Sequence, residues 1–342
     1  MLRLPPIRLK TPTMLQEAVR ALADGNTRLV AGGTDLWPNM KRRHQRAETV
    51  VSLMSIPGLD AIDSGSADLR IGATATLANI IRDSKIRKRY PAFAHAVASI
   101  SSPPLRNMGT IGGNLCIDTR CNYYNQTEEW RRSIDYCLKE QGKICWVATK
   151  SPRCWAHSAS DAAPMLCALD AKIKLLSASG DRVLPLAEMY IDDGIEYLAK
   201  QADEILTEVA VSVGSDSEHC RSAFWKLRRR GSIDFSTLSV AAAVWMDDSG
   251  QVTRASMYLG AVGSAPMAVV EADTVLAGNK MTEDAIAEIA HAAHKVARPM
   301  DTADFTPSWR GKMAEQYATA VLREIAGLPQ LRMRPRHTLK VV

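Results

Sequence analysis

Four cysteines fall in a stretch of about forty residues that has neither a helical nor a strand period. The stretch spans about residues 117–156, and its cysteines are Cys121, Cys137, Cys145 and Cys154. An irregular insert of this length inside a compact domain is usually functional or disordered. Four thiols bound to a metal centre would order it without an apolar core, because thiolates are ligands for soft metals.

The spacing of these cysteines does not by itself identify the metal. It reads C-x15-C-x7-C-x8-C. Ferredoxin-type clusters usually show tighter runs of cysteine, and structural zinc sites usually show C-x2–4-C pairs. The residues alone therefore leave three interpretations open: an iron–sulfur centre, a zinc ion with His157 as a candidate ligand, and no metal. Disulfides are not expected, because the chain is predicted to be cytosolic.

Two glycine-rich loops precede the insert. One is AGGTD at residues 31–35, which follows a predicted strand, and the other is TIGGN at residues 110–114. Paired glycines can adopt positive φ and turn several N–H groups the same way, which forms a nest for an anion. Two nests predict a site for both halves of a pyrophosphate, with two tight surface turns as the alternative. Neither loop has the spacing of a Walker A loop or of the dinucleotide fingerprint.

The length of 342 residues predicts two or three domains. A strand–helix–strand pattern in the first unit, residues 1–57, favours α/β or α+β packing. A capping box at Thr13 and Gln16 predicts the start of its helix. Further units are predicted at residues 58–213, which contain the insert, and 214–330, with a boundary at Gly214–Ser217 and a basic tail at 331–342.

The charge pattern excludes some partners. Net charge is +6, and the basic clusters Lys41–His44 and Arg228–Arg230 are short. They lack the interleaved aromatic residues of a single-strand nucleic-acid groove, so no nucleic acid is expected, and an acidic protein partner is the better alternative to a mildly basic surface. No run of ~18 apolar residues occurs, so no membrane span is predicted. The N-terminus lacks the apolar core of a secretory signal, and a cytoplasmic location is expected.

Six motifs, in order along the chain, resemble the FAD-binding subunits of the molybdenum hydroxylase family, to which xanthine dehydrogenase belongs. They are VAGGTDLWPNMK, IGATATL, MGTIGGNLC, SDAAPMLCALDA, DEILTEV and FWKLRRR. The insert, with DTRCNYYNQ, WRR, YCLK and SPRCW, is similar to that of 4-hydroxybenzoyl-CoA reductase β subunits, which binds a 4Fe-4S cluster. The resemblance implies that Cys121, Cys137, Cys145 and Cys154 are the cluster ligands.

The resemblance also implies the fold and the flavin contacts. The fold is α+β: a vanillyl-alcohol-oxidase/PCMH-type FAD-binding fold of two α/β subdomains, then a C-terminal α+β domain of the CO dehydrogenase flavoprotein type. The implied FAD-binding residues are Val30, Ala31, Gly32, Gly33, Thr34, Asp35, Leu36, Trp37, Ile100, Gly109, Thr110, Gly113, Asn114, Asp161, Leu206 and Lys226.

The implied role is electron transfer between a ferredoxin-like carrier, the 4Fe-4S cluster, FAD and the 2Fe-2S centres of a partner subunit. No catalytic residue is assigned to this chain, because nothing in it resembles a molybdopterin site or a second cysteine group. The resemblance therefore implies a molybdopterin subunit and a 2Fe-2S subunit as partners, in a dimer of heterotrimers acting on 4-hydroxybenzoyl-CoA. The alternatives are a related molybdenum hydroxylase with another aromatic or heterocyclic substrate, a stand-alone FAD-dependent oxidase or dehydrogenase, and a zinc-stapled binding module.

Overall fold

The computed structural model describes residues 2–23, 25–65, 68–212 and 219–331. The predicted boundary at Gly214–Ser217 and the basic tail beyond residue 331 lie outside these described residues. Over the part that is described, the chain forms three β-sheets, and no helix is both long enough and apolar enough to cross a membrane.

The strands are short in the first half of the chain and longer in the second. They are β1 Arg8–Lys10, β2 Thr27–Val30, β3 Thr49–Ser52, β4 Ile62–Asp63, β5 Asp68–Gly72, β6 Lys172–Ser177, β7 Gly180–Pro185, β8 Ile205–Ser212, β9 Cys220–Leu227, β10 Leu238–Met246, β11 Val252–Gly260 and β12 Met267–Ala268.

Most helices are also short, apart from the last two. They are α1 Leu15–Leu22, α2 Leu36–Lys41, α3 Leu77–Arg82, α4 Ser84–Arg89, α5 Pro91–Ala98, α6 Pro103–Arg106, α7 Ile111–Leu115, α8 Glu128–Ser133, α9 Ala162–Ala168, α10 Glu271–Leu276, α11 Glu283–Val296 and α12 Pro307–Ala326, with a 3₁₀ turn at Leu186–Met189.

Each of the three sheets belongs to a different part of the chain. The first is parallel, in the order β1-β3-β2. The second is antiparallel, in the order β4-β5-β8-β6-β7, and its central pair joins strands from before and after the cysteine insert. The third, β12-β11-β10-β9, is antiparallel. Antiparallel sheets combined with helices confirm the α+β class.

Strand β10 shows how the last two sheets share their cores. It is apolar except for Ser239 and is buried on both faces, to which successive side chains point in turn. Ala241 and Ala243 pack into the core that contains α5 and α9, whereas Ala242 and Val244 pack against α11 and α12. Small side chains on both faces let helices approach closely on each side, which fixes the third sheet against the second unit.

One local prediction is wrong by a single residue. Helix α1 begins after Met14, whose side chain provides no cap, so Thr13 is not the capping residue. Instead the Thr13 amide donates to Glu17 Oε2 at 3.3 Å. The capping-box interpretation paired Thr13 with Gln16, but the helix frame places Glu17 at the third helical position.

The cysteine insert is mostly irregular, as its sequence predicts. Its one helix is α8, which begins where the Thr127 hydroxyl accepts from the Trp130 amide at 3.3 Å. Arg131 on this helix is fully buried and anchors the insert to the first unit. Its guanidinium donates to Glu140 Oε2 at 2.8 Å and to the Arg42 carbonyl at 2.7 Å.

Candidate functional site

A cavity of about 1030 Å³ lies where the first unit, the second unit, the insert and the third unit meet. Both glycine loops line it, as do the start of the insert, several residues between 197 and 206, Arg230 and the segment 233–237. Most of the predicted FAD-binding residues line this cavity. They are Val30, Ala31, Gly32, Gly33, Thr34, Asp35, Leu36, Ile100, Gly109, Thr110, Gly113, Asn114, Asp161 and Leu206.

The first glycine loop has the properties of an anion nest. Gly33 adopts a positive φ of 69° at the entrance to α2. Over the part of the chain that is described, the amides of residues 32–36 donate to no other group. A Cβ on Gly32 would collide with the Met108 carbonyl, so only glycine lets the two loops approach this closely. Consecutive free amides at the start of a helix suit a phosphate group.

The second glycine loop differs from this prediction. It forms the first turn of α7, and its amides are used within the protein: Ile111 donates to Ala75 O at 3.0 Å, and Gly112 donates to Ala73 O at 2.9 Å. The Gly113 amide donates to Thr110 Oγ1 at 3.2 Å. The prediction of a second nest is therefore wrong for residues 111–113, and the glycine at 112 serves close packing of α7 on Ala73.

Asn114 is the polar side chain that the second loop brings to the cavity wall. Its Oδ1 accepts from Ser160 Oγ at 2.8 Å and from the Ala162 amide at 3.3 Å. These two donors fix the orientation of the side-chain amide. Its NH₂ group is therefore the part left to donate to a ligand.

Two predicted contacts stand behind the cavity wall. Trp37 is not a lining residue, and its indole packs over Gly33. Lys226 is buried and donates to Asp161 Oδ2 at 2.7 Å, to Ser99 O at 3.0 Å and to Asp234 O at 3.0 Å. All three ammonium protons are thus used, so Lys226 acts on the cavity through Asp161, which does line it.

Arg120 is a lining residue that the sequence reasoning missed. Its guanidinium pairs with Asp35 Oδ1 and donates to Asn39 Oδ1 at 3.3 Å, and its face lies 4.9 Å from the centre of the Phe235 ring. Burial raises the pKa of Asp35, while the Arg120 charge opposes that shift. Arg120 stands directly before Cys121, and its partner lies 85 positions away in sequence, so no local pattern indicates the pair.

The four cysteines of the insert are buried together. Each side chain is only 5–7% exposed. The Ala156 amide donates to Cys154 Sγ at 3.4 Å, and nearby backbone amides partly oppose the rise in the pKa values of Cys121 and Cys137. Burial raises the pKa of Cys121 to about 12 and that of Cys154 to about 11. The neighbouring thiols raise these pKa values further, which shows that the four sulfurs share one environment.

The positions of the four sulfurs do not form a site for a single metal ion. A tetrahedral zinc with bonds of ~2.3 Å holds its sulfurs roughly 3.8 Å apart. Among the described residues, no group of three cysteine, histidine or acidic side chains is close enough to hold one metal ion.

The thiol site and the cavity share a wall. Cys121 belongs to the thiol group and also lines the cavity. His157, the candidate zinc ligand, is not part of the thiol group; it lines the cavity and its Nδ1 lies 3.0 Å from Thr302 Oγ1. Burial lowers the pKa of His157 to about 3, and the Arg310 and Arg120 charges add to that effect.

The buried neutral His157 predicts a loss of stability in acid. Its unfolded pKa is about 6.5, so between that pH and its folded pKa only the unfolded chain takes up the proton. Stability therefore falls as the pH falls through this window, by about 2 kcal/mol between pH 6.5 and pH 5. Urea unfolding of wild type and H157Q at pH 7 and pH 5 measures it: the variant should lose less stability on acidification. The exposed His291 supplies the control, H291Q, which should behave as wild type; equal acid sensitivity of all three chains would contradict the assignment.

Comparisons with known proteins identify the family of this chain. Residues 5–212 match the family described as the FAD binding domain in molybdopterin dehydrogenase, and residues 222–325 match the CO dehydrogenase flavoprotein C-terminal domain. The nicotinate dehydrogenase FAD-subunit of Eubacterium barkeri is 30% identical over 275 residues, which cover 79% of each chain. The xanthine dehydrogenase FAD-binding subunit of Escherichia coli O157:H7 is 27% identical and covers 80% of this chain and 81% of its own.

Solved structures confirm the fold. The carbon monoxide dehydrogenase of Hydrogenophaga pseudoflava superposes with a TM-score of 0.76 at 22% identity, over 95% of this chain and 99% of that one. Quinoline 2-oxidoreductase of Pseudomonas putida 86 gives a TM-score of 0.74 at 20% identity, over 95% and 98%. The predicted FAD-binding fold with a CO dehydrogenase flavoprotein-type C-terminal domain is confirmed. The chain belongs to the FAD-binding subunits of the molybdenum hydroxylase family, and it is an oxidoreductase subunit.

Proposed function

We propose that this chain holds both FAD and a 4Fe-4S cluster and transfers electrons within a complex that resembles 4-hydroxybenzoyl-CoA reductase. The observation that carries the proposal is the group of four buried thiols, which shares a wall with the cavity through Cys121. When bound, FAD exchanges one or two electrons and a 4Fe-4S cluster exchanges one at a time. The protein positions both groups and controls their surroundings.

The cavity residues suit the parts of FAD. The free amides of residues 32–36 would donate to the pyrophosphate. The Asn114 NH₂ and the Asp161 carboxylate would bind polar groups of the cofactor, and the buried Leu206 would contact an apolar part. Trp37 and Lys226 would support the site from behind, the first against Gly33 and the second through Asp161.

The thiol site suits a cluster because it supplies four sulfurs and no competing ligand. The raised pKa values of Cys121, Cys137 and Cys154 favour thiols over thiolates at these three positions when no metal is bound. Iron binding would displace the protons, and the backbone amides near these three sulfurs would stabilise the resulting charge.

The complex would contain a molybdopterin subunit and a 2Fe-2S subunit as a dimer of heterotrimers in the cytoplasm, with a ferredoxin-like carrier as the external partner. Names of relatives support an assembly, since one is a complex subunit, "6-hydroxypseudooxynicotine dehydrogenase complex subunit alpha" from Paenarthrobacter nicotinovorans. The same names favour one alternative, a related hydroxylase acting on a nitrogen heterocycle, because nicotinate and nicotine derivatives recur among them.

The first prediction tests the cluster ligands. Cys137→Ser removes one sulfur from the group, so iron and acid-labile sulfide should fall to background in chain purified without oxygen, with FAD largely retained. Cys220→Ser is the matched control, because Cys220 lies on β9, outside the insert, and should leave iron unchanged. An iron content in C137S equal to that of wild type would contradict the assignment of Cys137 as a cluster ligand. Zinc in place of iron in the wild-type chain would support the zinc-stapled binding module.

The second prediction tests the flavin cavity. A Cβ on Gly113 would meet only Thr110 Oγ1, at 3.0 Å, so Gly113→Val should fold while its side chain takes up cavity space. The affinity for FAD should fall at least tenfold, about 1.4 kcal/mol. Titration of apo chain with FAD measures it, and circular dichroism checks folding. Gly231→Val, in open space, is the control; unchanged FAD affinity in G113V would place the flavin elsewhere.

The third prediction separates the candidate reactions. The complex, purified with its partner subunits, should dehydroxylate 4-hydroxybenzoyl-CoA when supplied with a low-potential one-electron donor, while this chain alone should turn over neither substrate. Nicotinate with an acceptor dye is the comparison substrate. Oxidation of nicotinate without dehydroxylation of 4-hydroxybenzoyl-CoA would favour the related hydroxylase, and turnover by the isolated chain would favour a stand-alone flavoenzyme.

A further inference from the structure

A buried ion pair lies between the thiol site and the cavity. Lys139 Nζ donates to Asp118 Oδ1 at 2.8 Å, and the two side chains are 6% and 5% exposed. The ammonium also donates to Thr119 Oγ1 at 2.8 Å and to the Gly194 carbonyl at 2.5 Å. Its three protons are therefore used in one fixed geometry, which holds the charge in place.

The cationic end of the pair faces the cysteines. The Lys139 backbone amide lies beside the Cys137 sulfur. The Gly194 carbonyl that accepts from Nζ belongs to a residue packed on Cys154, since a Cβ on Gly194 would lie 2.7 Å from the Cys154 sulfur. The ammonium is therefore joined through the Gly194 carbonyl to a residue that contacts the Cys154 sulfur.

The anionic end of the pair faces the cavity. Asp118 lines the cavity, and its Oδ2 accepts from Gln45 Nε2 at 3.1 Å and from the Tyr124 hydroxyl at 3.3 Å. The Tyr197 ring also lines the cavity, and its centre lies 5.3 Å from Lys139 Nζ. These contacts fix the carboxylate as firmly as the ammonium.

A purely structural role explains the pair poorly. Removing both charges of a buried ion pair from water costs much of the free energy that their attraction provides. Apolar side chains of similar size often stabilise a fold equally well. At low local dielectric, however, a fixed charge acts strongly on neighbouring charged groups. An oriented pair between two sites that gain and lose electrons would therefore affect each site with the opposite sign.

We infer that the Lys139–Asp118 pair sets the difference in electron affinity between the thiol site and the cavity. Lys139 favours an added electron on the cluster, and Asp118 disfavours one on the flavin. Both are positioning residues that act through their charges, without contact with a substrate. The inference rests on the proposed function, because it needs both cofactors to be bound.

The test is a redox titration of the full chain carrying FAD and iron, followed by absorbance for the flavin and by electron paramagnetic resonance for the cluster. Lys139→Met alone leaves Asp118 buried without its partner, which can prevent folding. The informative variant is therefore the double substitution D118N/K139M, which removes both charges together. Lys139→Arg keeps the charge, and Lys143→Met removes a lysine from the exposed surface of the same insert.

In D118N/K139M the cluster should become harder to reduce and the flavin easier to reduce. Each equilibrium should shift at least tenfold, about 59 mV for a one-electron step. K139R and K143M should stay within a threefold change of wild type. General loosening of the insert would not move the two sites in opposite directions, and it would also alter iron content, which is measured in each variant.

The failures of the two proposals are distinguishable. A wild-type chain that binds FAD but no iron overturns the proposed cluster and this inference with it. A fully loaded D118N/K139M chain with both midpoints unchanged, or with both moved in the same direction, overturns the inference alone.

Discussion

The ion pair between Asp35 and Arg120 joins the glycine loop of the first unit to the cysteine insert. Asp35 lies within the row of free amides that suits a phosphate, and an uncompensated carboxylate there would repel one. Arg120 supplies the compensating charge, and it can do so only when the insert is folded. The residue after it is Cys121, so the same few residues complete the anion site and begin the thiol site. The cavity and the thiol site therefore depend on one another for their geometry.

These shared residues explain why the insert can lack regular secondary structure and still form part of the cavity wall. It is held at its start by Arg120, in its middle by Arg131 and Lys139, and at its end by the packing of Gly194 on Cys154. Arg120 and Arg131 reach the first subdomain at Asp35 and Arg42, and Lys139 and Cys154 both reach Gly194 in the second. Binding of the four sulfurs to one metal centre would restrict the remaining motion of the insert, because the centre links segments that share few apolar contacts.

The sequence predicts regular structure and the first glycine nest well, but it misses most contacts between residues that are far apart in the sequence. The apolar run of β10 and the capped helix α11 follow from local patterns, since Thr282 caps α11 by accepting from Ala285 N at 3.2 Å. The nest at residues 31–35 follows from its glycines. The second loop does not, because its amides pair with Ala73 and Ala75 on a segment about forty residues earlier. Arg120 and Lys139 are missed for the same reason. Charged residues in an irregular segment are expected to lie on the solvent-exposed surface, and only the structure shows their distant partners.

The charge balance of the cavity explains the position of Lys226, which is predicted to contact FAD but does not line the cavity. Every acidic residue that lines the cavity has a cationic partner. The pairs are Asp35–Arg120, Asp118–Lys139, Asp161–Lys226, Asp234–Arg230 and Asp304–Arg229. With the acids neutralised, the remaining lining cations, which include Arg28, Arg42 and Lys200, give the cavity a net positive character. A pyrophosphate carries two negative charges, so a cavity of this size needs such a balance to admit it. Lys226 therefore acts on the proposed cofactor site through charge: it would let Asp161 offer hydrogen-bond acceptors in the wall without repelling phosphates.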